Sequence, residues 1–198
     1  MATLVLDHPD YAVAVTDVGD GDADGVTARA RVAALLGTDP ASFHAMNQVH
    51  GDTVVAVTAE AAPPRPTADA LITTTPGVWL IARAADCVPL ALVDPRGRVA
   101  AVVHAGWRGV VAGVVPAAVD AMLRAGASAP DIRARLGPSI CGGCYEVGAD
   151  VQEQIVRGVE SRRQHHVGPA RVQLITGGLE GVQPRRTRRV ERDPRSHH

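Results

Sequence analysis

The sequence predicts a layered α/β or α+β fold built as a single domain. Hydrophobic residues make up 46% of the 198 residues, which is enough for one sizeable core. Short apolar runs rich in β-branched residues alternate with longer segments of helical spacing. Strands and helices that follow one another in this way pack as layers around a common core.

The N-terminal part of the chain predicts strands on either side of one helix. A strand is expected at 11–16, and a helix is expected over 26–38. The helix should stop at Gly37, because glycine readily takes the left-handed conformation that closes many helices. Residues 44–58 alternate well enough for one strand on each side of Gly51.

The middle of the chain predicts the buried sheet and a covering helix. Residues 70–94 and 98–107 are rich in β-branched residues and broken by turn signals, which indicates three or four buried strands. A helix is expected over 114–127, with Pro116 in its first turn. Residues 132–148 return to a strand and then form a glycine-containing loop.

A change in charge marks the expected domain boundary. A helix is predicted at 148–159, and from residue 157 the chain becomes basic, with ten Arg and four acidic residues over 157–198. That segment carries +6, whereas residues 1–156 carry −7. We therefore assign the domain to 1–156 and expect 157–198 to pack poorly beyond the initial helix, as a solvated tail or a diverged or truncated end.

The composition indicates which partners the protein lacks and which cellular compartment it occupies. The formal net charge is −1, and the basic tail has no aromatic residue for stacking on bases, so neither nucleic acid nor an anionic membrane is expected as a partner. The apolar run at 109–119 is too short to span a bilayer and contains a proline. Three cysteines and no export signal favour a cytoplasmic protein with free thiols.

Three residues form a candidate metal site. His50, Cys87 and His104 each lie near the end of an apolar, strand-like run, where side chains distant in sequence can meet in one pocket. Two imidazoles and a thiolate suit zinc, and a three-ligand site leaves a position for a water whose pKa the metal lowers to about 7. The alternative is a buried structural cysteine and two hydrogen-bonded histidines.

Four further residues could act at this site, and each also has an alternative interpretation. Asp86 is a candidate proton carrier if it lies at a strand end, or else a turn carboxylate. Arg108 offers a planar fork for phosphate or carboxylate, or else a surface salt bridge. Cys141 and Cys144 form a C-x-x-C without a second pair or a thioredoxin-like context, so we expect one pocket-lining cysteine rather than a redox pair or zinc half-site.

Asn-Gln-Val-His-Gly at 47–51, Ala-Asp-Cys-Val-Pro at 85–89 and His-Ala-Gly-Trp-Arg-Gly at 104–109 together resemble one family. It is the laccase-domain, or multicopper polyphenol oxidase-like, family, also called the purine nucleoside phosphorylase/adenosine deaminase and peptidoglycan editing factor family. The resemblance implies a four-layer α/β/β/α sandwich with mixed sheets. It also implies a zinc ion held by His50, Cys87 and His104. Copper is less suited, because three ligands make a poor multicopper centre.

The resemblance further implies a phosphate-dependent cleavage of adenosine, inosine, guanosine and methylthioadenosine, together with adenosine deamination. The implied partners are a small-molecule purine nucleoside and phosphate, and the implied protein is a monomer or small homo-oligomer. Arg108 is expected to hold phosphate, and Gly106 and Gly109 are expected to let the backbone turn sharply around it. Asp86 is expected to move protons, with Glu146 in reserve. Substrate contacts are expected from Asn47, Gln48, Trp107 and Cys144.

Two departures from the family pattern keep other functions open. Only a short loop separates Asp17 from Val26, where the family carries an Arg-Gly-Gly loop and a Ser-Leu-Asn stretch. The end of the chain also lacks the family's Cys-Thr word. The alternatives are a hydrolase editing peptidoglycan precursors, a polyphenol oxidase, and a degenerate binding protein that keeps the core without catalysis.

Overall fold

A computed structural model describes residues 3–8, 11–16, 25–59, 65–163 and 173–174. The strands in these ranges are β1 (Thr3–His8), β2 (Tyr11–Val15), β3 (Phe43–Ala45), β4 (Val54–Ala56), β5 (Ala70–Thr73), β6 (Trp79–Ile81), β7 (Val88–Asp94), β8 (Val99–Ala105), β9 (Arg133–Leu136) and β10 (Gln173–Leu174). The α-helices are α1 (Val26–Leu36), α2 (Trp107–Ala112), α3 (Val114–Arg124) and α4 (Ala149–Arg163).

The strands form one large mixed sheet and two small sheets. The large sheet has the order β10-β9-β7-β8-β5-β4. Its four central strands, β9, β7, β8 and β5, pair with one another in antiparallel fashion, while the edge strands β10 and β4 pair in parallel with β9 and β5. Strands β1 and β2 form an antiparallel pair, and β3 pairs with β6 in parallel.

Side-chain alternation on the large sheet gives it two apolar faces. On β8, Ala101 and Val103 point into a core that includes Val114, Ala118 and other residues of α3. Val102, between them, points to the opposite face and joins a second cluster with Leu71 of β5 and Leu80 of β6. The large sheet is therefore covered by α3 on one face and by the β3–β6 sheet on the other.

The β3–β6 sheet is covered in turn by α1. Val32 and Ala33 of α1 pack against Phe43, whose ring stacks on Trp79 with centroids 5.8 Å apart. The packing order is thus α3, large sheet, small sheet, α1. This order confirms the four-layer α/β/β/α sandwich with mixed sheets in one domain that the family resemblance implied.

Most predicted elements are present, and Gly37 closes α1 with a φ of 64°. Strands β1 and β10 and the short helix α2 were not predicted. The expected sharp turn after His104 is wrong, because Gly106 has an ordinary extended φ of −76° and Gly109 lies inside α2. The reason for both glycines is space: a Cβ on Gly109 would stand 3.0 Å from the Gly51 carbonyl oxygen.

The boundary placed after residue 156 falls inside α4. This helix packs against α2, where a Cβ on Gly158 would lie only 3.2 Å from the Val111 Cα. Residues 164–172 and 175–198 lie outside the described residues, so the weak packing of 157–198 stays a prediction. Among the residues that the structure describes, no helix is long and apolar enough to cross a membrane.

Asp94 closes the turn between β7 and β8. Its fully buried carboxylate accepts hydrogen bonds from the backbone N–H groups of Arg96 and Gly97, both at 2.9 Å, and of Ser128 at 2.7 Å. Burial alone would raise the Asp94 pKa, but these three hydrogen bonds and the charge of Arg96 outweigh it and hold the pKa below its usual value. Asp94 thereby ties the β7–β8 turn to the loop after α3.

Candidate metal centre

The large sheet and one loop bring His50, Cys87 and His104 together. Cys87 immediately precedes β7, and His104 lies near the end of β8; the antiparallel pairing of these strands places both at one edge. His50 arrives from the loop between β3 and β4. One donor atom from each residue lies within 4.8 Å of the other two. The Cys87 Sγ is 3.8 Å from the His50 Nε2.

The loop carrying His50 is folded around a single carboxylate. His50 has a φ of 61°, in the left-handed region that non-glycine residues rarely occupy. The backbone N–H groups of Val49 and Gly51 donate to Asp69 Oδ2 at 3.2 and 2.7 Å, and that of His50 donates to Oδ1 at 2.9 Å. Three successive amides directed at one anion form a nest, which stabilises the unusual turn.

His104 is held by the same residue. Its Nδ1 lies 2.9 Å from Asp69 Oδ1, and its backbone N–H donates to the Asp69 carbonyl oxygen at 2.8 Å. With Nδ1 engaged by the carboxylate, Nε2 is the imidazole nitrogen left for a ligand. The His50 and His104 rings are nearly perpendicular, with centroids 4.7 Å apart.

Asp69 is the functional residue that sequence reasoning missed. Its side chain is fully buried directly before β5, just outside the strand-rich run predicted from residue 70 onward. Burial raises its pKa, but hydrogen bonds from His104 and from the backbone of Gly51, Val49 and His50 outweigh that effect and lower the pKa overall. The available signal was a lone acidic residue at the start of an apolar run, since burying a carboxylate requires donors around it.

Gly106 leaves the room in which the donors meet. A Cβ on this residue would lie 2.7 Å from His50 Cδ2 and 3.0 Å from the Cys87 Sγ. The backbone immediately after β8 therefore forms one wall of the centre. Any side chain there would push the imidazole and the thiol away from each other.

The donor set fits a soft or borderline metal ion. Three atoms no more than 4.8 Å apart share a point within about 2.8 Å of each, close to the metal–ligand lengths of about 2.0–2.3 Å for nitrogen and sulfur. Burial, then the negative charges of Asp86 and Asp69, raise the pKa of the Cys87 thiol. A bound cation would offset these charges and favour the thiolate. His50 is exposed, so the centre is open to solvent on one side.

Of the three predicted catalytic residues, Asp86 and Arg108 adjoin the centre in sequence, and Glu146 does not. Arg108 is exposed in the first turn of α2, with its guanidinium carbon 4.3 Å from the centroid of the half-buried Trp107 ring. Asp86 is exposed beside Cys87, and its carbonyl oxygen accepts a hydrogen bond from the Ile140 N–H at 3.1 Å. Glu146 is exposed in the loop before α4. Their catalytic roles stay predictions.

The amides of Asn47 and Gln48 contact backbone. The Gln48 side chain donates to the Arg83 carbonyl oxygen at 2.8 Å and accepts from the Arg83 N–H at 2.9 Å. The Asn47 side chain donates to the Arg65 carbonyl oxygen at 3.3 Å. Both residues brace the loop that leads to His50. Their contact with substrate stays a prediction.

Cys141 and Cys144 form a disulfide, and Cys87 is the free cysteine. The expectation of three free thiols is therefore wrong. A tight turn through two glycines brings the two Cα atoms to 5.2 Å, and the Cys144 N–H donates to the Cys141 carbonyl oxygen at 2.9 Å. If Cys144 lines the pocket as predicted, it does so as half of a disulfide and not as a free thiol.

A large groove lies beside the metal centre. Its volume is about 1250 Å³, and it opens between β2, β6 and the β7–β8 face that points away from α3. None of the three donor residues lines it, although Ala85 and Pro89, which flank Asp86 and Cys87, do. The metal centre is therefore identified by its converging donors and not by this groove.

Several similar proteins are named as enzymes that act on nucleosides. A purine nucleoside phosphorylase of Streptomyces coelicolor is 49% identical over 140 residues, covering 70% of this chain and 57% of that protein. An adenosine deaminase of an unknown prokaryotic organism is 48% identical over 85 residues, covering 43% of this chain and 32% of that protein. The chain thus spans little more than half the length of the first relative and a third of the second.

The fold is also shared with a solved structure. The crystal structure of YlmD from Geobacillus stearothermophilus matches with a TM-score of 0.63 and 31% sequence identity, over 71% of this chain and 56% of that chain. A family model described as multi-copper polyphenol oxidoreductase laccase matches residues 11–177, most of the chain. The chain therefore belongs to the multi-copper polyphenol oxidoreductase laccase family.

Proposed function

We propose that the chain is a zinc-dependent purine nucleoside phosphorylase that also deaminates adenosine. The observation that carries the proposal is the convergence of His50, Cys87 and His104, in a chain similar to proteins named for these two activities. Two nitrogens and one sulfur suit zinc, and the solvent-facing side of the centre leaves a place for water or substrate. Copper is the poorer candidate, because three donors cannot build a multicopper centre.

Arg108 is the proposed phosphate ligand. It lies four residues after His104, at the start of α2, and its exposed guanidinium is stacked on Trp107. Stacking on the ring limits the orientations of the planar fork. A guanidinium held in this way can bind phosphate through two parallel hydrogen bonds. In this arrangement Trp107 supports Arg108, and a contact with the purine is secondary.

Proton transfer is assigned to Asp86, with Glu146 in reserve. Asp86 adjoins the Cys87 donor in sequence, and its exposed carboxylate can take a proton from water and return it to a leaving amine. A zinc ion bound at the centre would supply Lewis acidity and a water of lowered pKa. Substrate contacts are assigned to Asn47, Gln48 and Cys144. The first two also brace the loop that leads to His50.

The test is a nucleoside assay on purified protein of measured metal content. Adenosine, inosine, guanosine and methylthioadenosine are each incubated with and without phosphate. Free base, ammonia and the sugar 1-phosphate are measured, the last being ribose 1-phosphate for the first three nucleosides and methylthioribose 1-phosphate for methylthioadenosine. The proposal predicts base release that requires phosphate, and ammonia release from adenosine that does not. Zinc-loaded protein that gives neither product would refute it and favour a degenerate binding protein.

The remaining assignments are part of the same proposal. They are a cytoplasmic location, no nucleic-acid partner, and a monomer or small homo-oligomer. A hydrolase that edits peptidoglycan precursors would instead release product from such a precursor whether or not phosphate is added. The same assay with such a precursor separates that alternative from phosphorolysis.

A further inference from the structure

We propose that Asp69 is the positioning residue of the metal centre, whose single carboxylate sets the tautomer of His104 and holds the turn that presents His50. The inference rests on the metal-binding part of the proposed function and not on nucleoside chemistry. In this proposal the buried side chain of Asp69 controls the geometry of two of the three donors, His50 and His104.

The hydrogen bonds of Asp69 are those expected of an ionised carboxylate. Oδ1 faces the His104 Nδ1 and the His50 N–H, each at 2.9 Å. Oδ2 faces the N–H groups of Val49 and Gly51. Three of these contacts are backbone N–H donors, and an ionised carboxylate has no hydrogen of its own to donate, so the group is an acceptor on both sides.

The tautomer of His104 follows from this pattern. Because Asp69 Oδ1 can only accept, the His104 Nδ1 carries the hydrogen, and the lone pair of the neutral ring is on Nε2. The imidazole is also buried and its backbone N–H is bonded to the Asp69 carbonyl oxygen. His104 is therefore fixed in both ring orientation and tautomer before any ion binds.

The position of His50 depends on the backbone N–H hydrogen bonds that Asp69 accepts. Its left-handed backbone is sparsely populated for a non-glycine residue and persists only where the surroundings enforce it. Three amide hydrogen bonds to Asp69 supply that enforcement. If they were lost, the turn would relax toward ordinary φ values and move the His50 Nε2 away from the Cys87 Sγ.

Asp69→Asn disturbs this arrangement in either orientation of the amide. If the new NH₂ group faces His104, the ring must accept at Nδ1, and its hydrogen moves to Nε2, where it blocks metal binding. If the NH₂ group faces Val49 and Gly51, their two N–H groups meet donors instead of an acceptor, and the His50 turn opens. Both orientations weaken metal binding while the shape of the side chain is preserved.

Asp94→Asn is the matched control. Asp94 is also fully buried and accepts three backbone N–H hydrogen bonds, but its described partners are Arg96, Gly97 and Ser128 and include no histidine. Both substitutions are expected to lower the stability of the fold. Only Asp69→Asn should affect the donors.

The experiment measures zinc affinity by competition with a chelator, together with urea unfolding of the metal-free proteins. Asp69→Asn should bind zinc about 10- to 100-fold more weakly than the wild type, the range typical for losing a residue that orients a metal ligand. Asp94→Asn should bind within about twofold of the wild type. Equal affinities for wild type and Asp69→Asn, or equal losses in the two variants, would overturn the proposal.

A second measurement needs no variant and no metal. Long-range ¹H–¹⁵N NMR spectra of the metal-free wild type report which nitrogen of His104 carries the hydrogen. The proposal requires a hydrogen on Nδ1; a hydrogen on Nε2 alone would overturn it even if Asp69→Asn fails to fold. Failure of the wild type to bind zinc would instead count against the proposed function.

Discussion

Gly106 lies so close to His50 that a methyl group on its Cα would stand 2.7 Å from the ring carbon Cδ2. Real Cβ atoms do not approach other atoms this closely, so one of the two residues would have to move. The same methyl group would be 3.0 Å from the Cys87 Sγ. The gap between two donors is thus set by a residue that has no side chain.

Gly106→Ala should weaken metal binding without unfolding the protein. Alanine readily adopts the Gly106 backbone angles, so the fold is spared, but its methyl group displaces His50 or Cys87. We expect zinc affinity to fall about tenfold or more, on the scale of other changes that disturb ligand orientation. Gly142→Ala is the control, because a Cβ there meets no atom within 4 Å. Wild-type affinity in Gly106→Ala would contradict the close approach.

Arg108→Lys should separate the two proposed reactions. Lysine keeps the charge but loses the fork that binds phosphate through two parallel hydrogen bonds. We expect kcat/KM for phosphorolysis to fall about 10- to 100-fold, the equivalent of one charge-assisted hydrogen bond, and deamination to change little. Arg124→Lys, at the end of α3, is the control. Equal loss of both activities with zinc content intact would refute the phosphate role.

Asp86→Asn should damage deamination and leave the metal in place. The amide cannot accept and return a proton, so a loss of about 100-fold or more is expected in the rate of ammonia release. Zinc content should stay at the wild-type level, because the carboxylate is exposed and is not among the three converging donors. Glu146→Gln is measured beside it. If that variant takes the loss instead, the proton role belongs to Glu146.

The buried carboxylate of Asp94 should contribute to acid unfolding. Its pKa is lowered in the folded protein, so the unfolded state binds the proton more readily and folding is favoured while the group is ionised. This stabilisation is fully present above the ordinary aspartate pKa of about 4 and is lost as the pH falls through the lowered value. The stability gap between wild type and Asp94→Asn should therefore be widest above about pH 5 and should narrow below about pH 4.

Urea unfolding of the metal-free proteins between pH 3 and pH 6 measures this gap. Asp120→Asn is the control, because Asp120 is exposed on α3 and its loss should leave the pH profile unchanged. A gap that stays constant or widens on acidification would contradict the role of Asp94.

The three donors could be predicted from sequence because each marks the end of a strand-like run and belongs to a distinctive word. A layered α/β fold could be predicted from the mixture of strand-like and helical segments, whereas the four-layer order was an implication of the family resemblance. The structure shows its basis in the alternation on β8, where Val102 and Val103 lie on opposite faces. Asp69 could not be predicted, because its partners at 49–51 and His104 are distant in sequence and meet only where β5 pairs with β4 on one side and with β8 on the other. The purpose of Gly106 was missed for the same reason, since the atoms that require it come from two other segments.

The most direct test of the metal centre is X-ray absorption spectroscopy of the zinc-loaded protein at the zinc edge. The proposed centre predicts about one sulfur at about 2.3 Å together with nitrogen or oxygen neighbours at about 2.0–2.1 Å. In Cys87→Ser the sulfur contribution should disappear, because the two other cysteines are joined in the Cys141–Cys144 disulfide. A wild-type spectrum without sulfur, or a sulfur signal that persists in Cys87→Ser, would contradict a centre built from His50, Cys87 and His104.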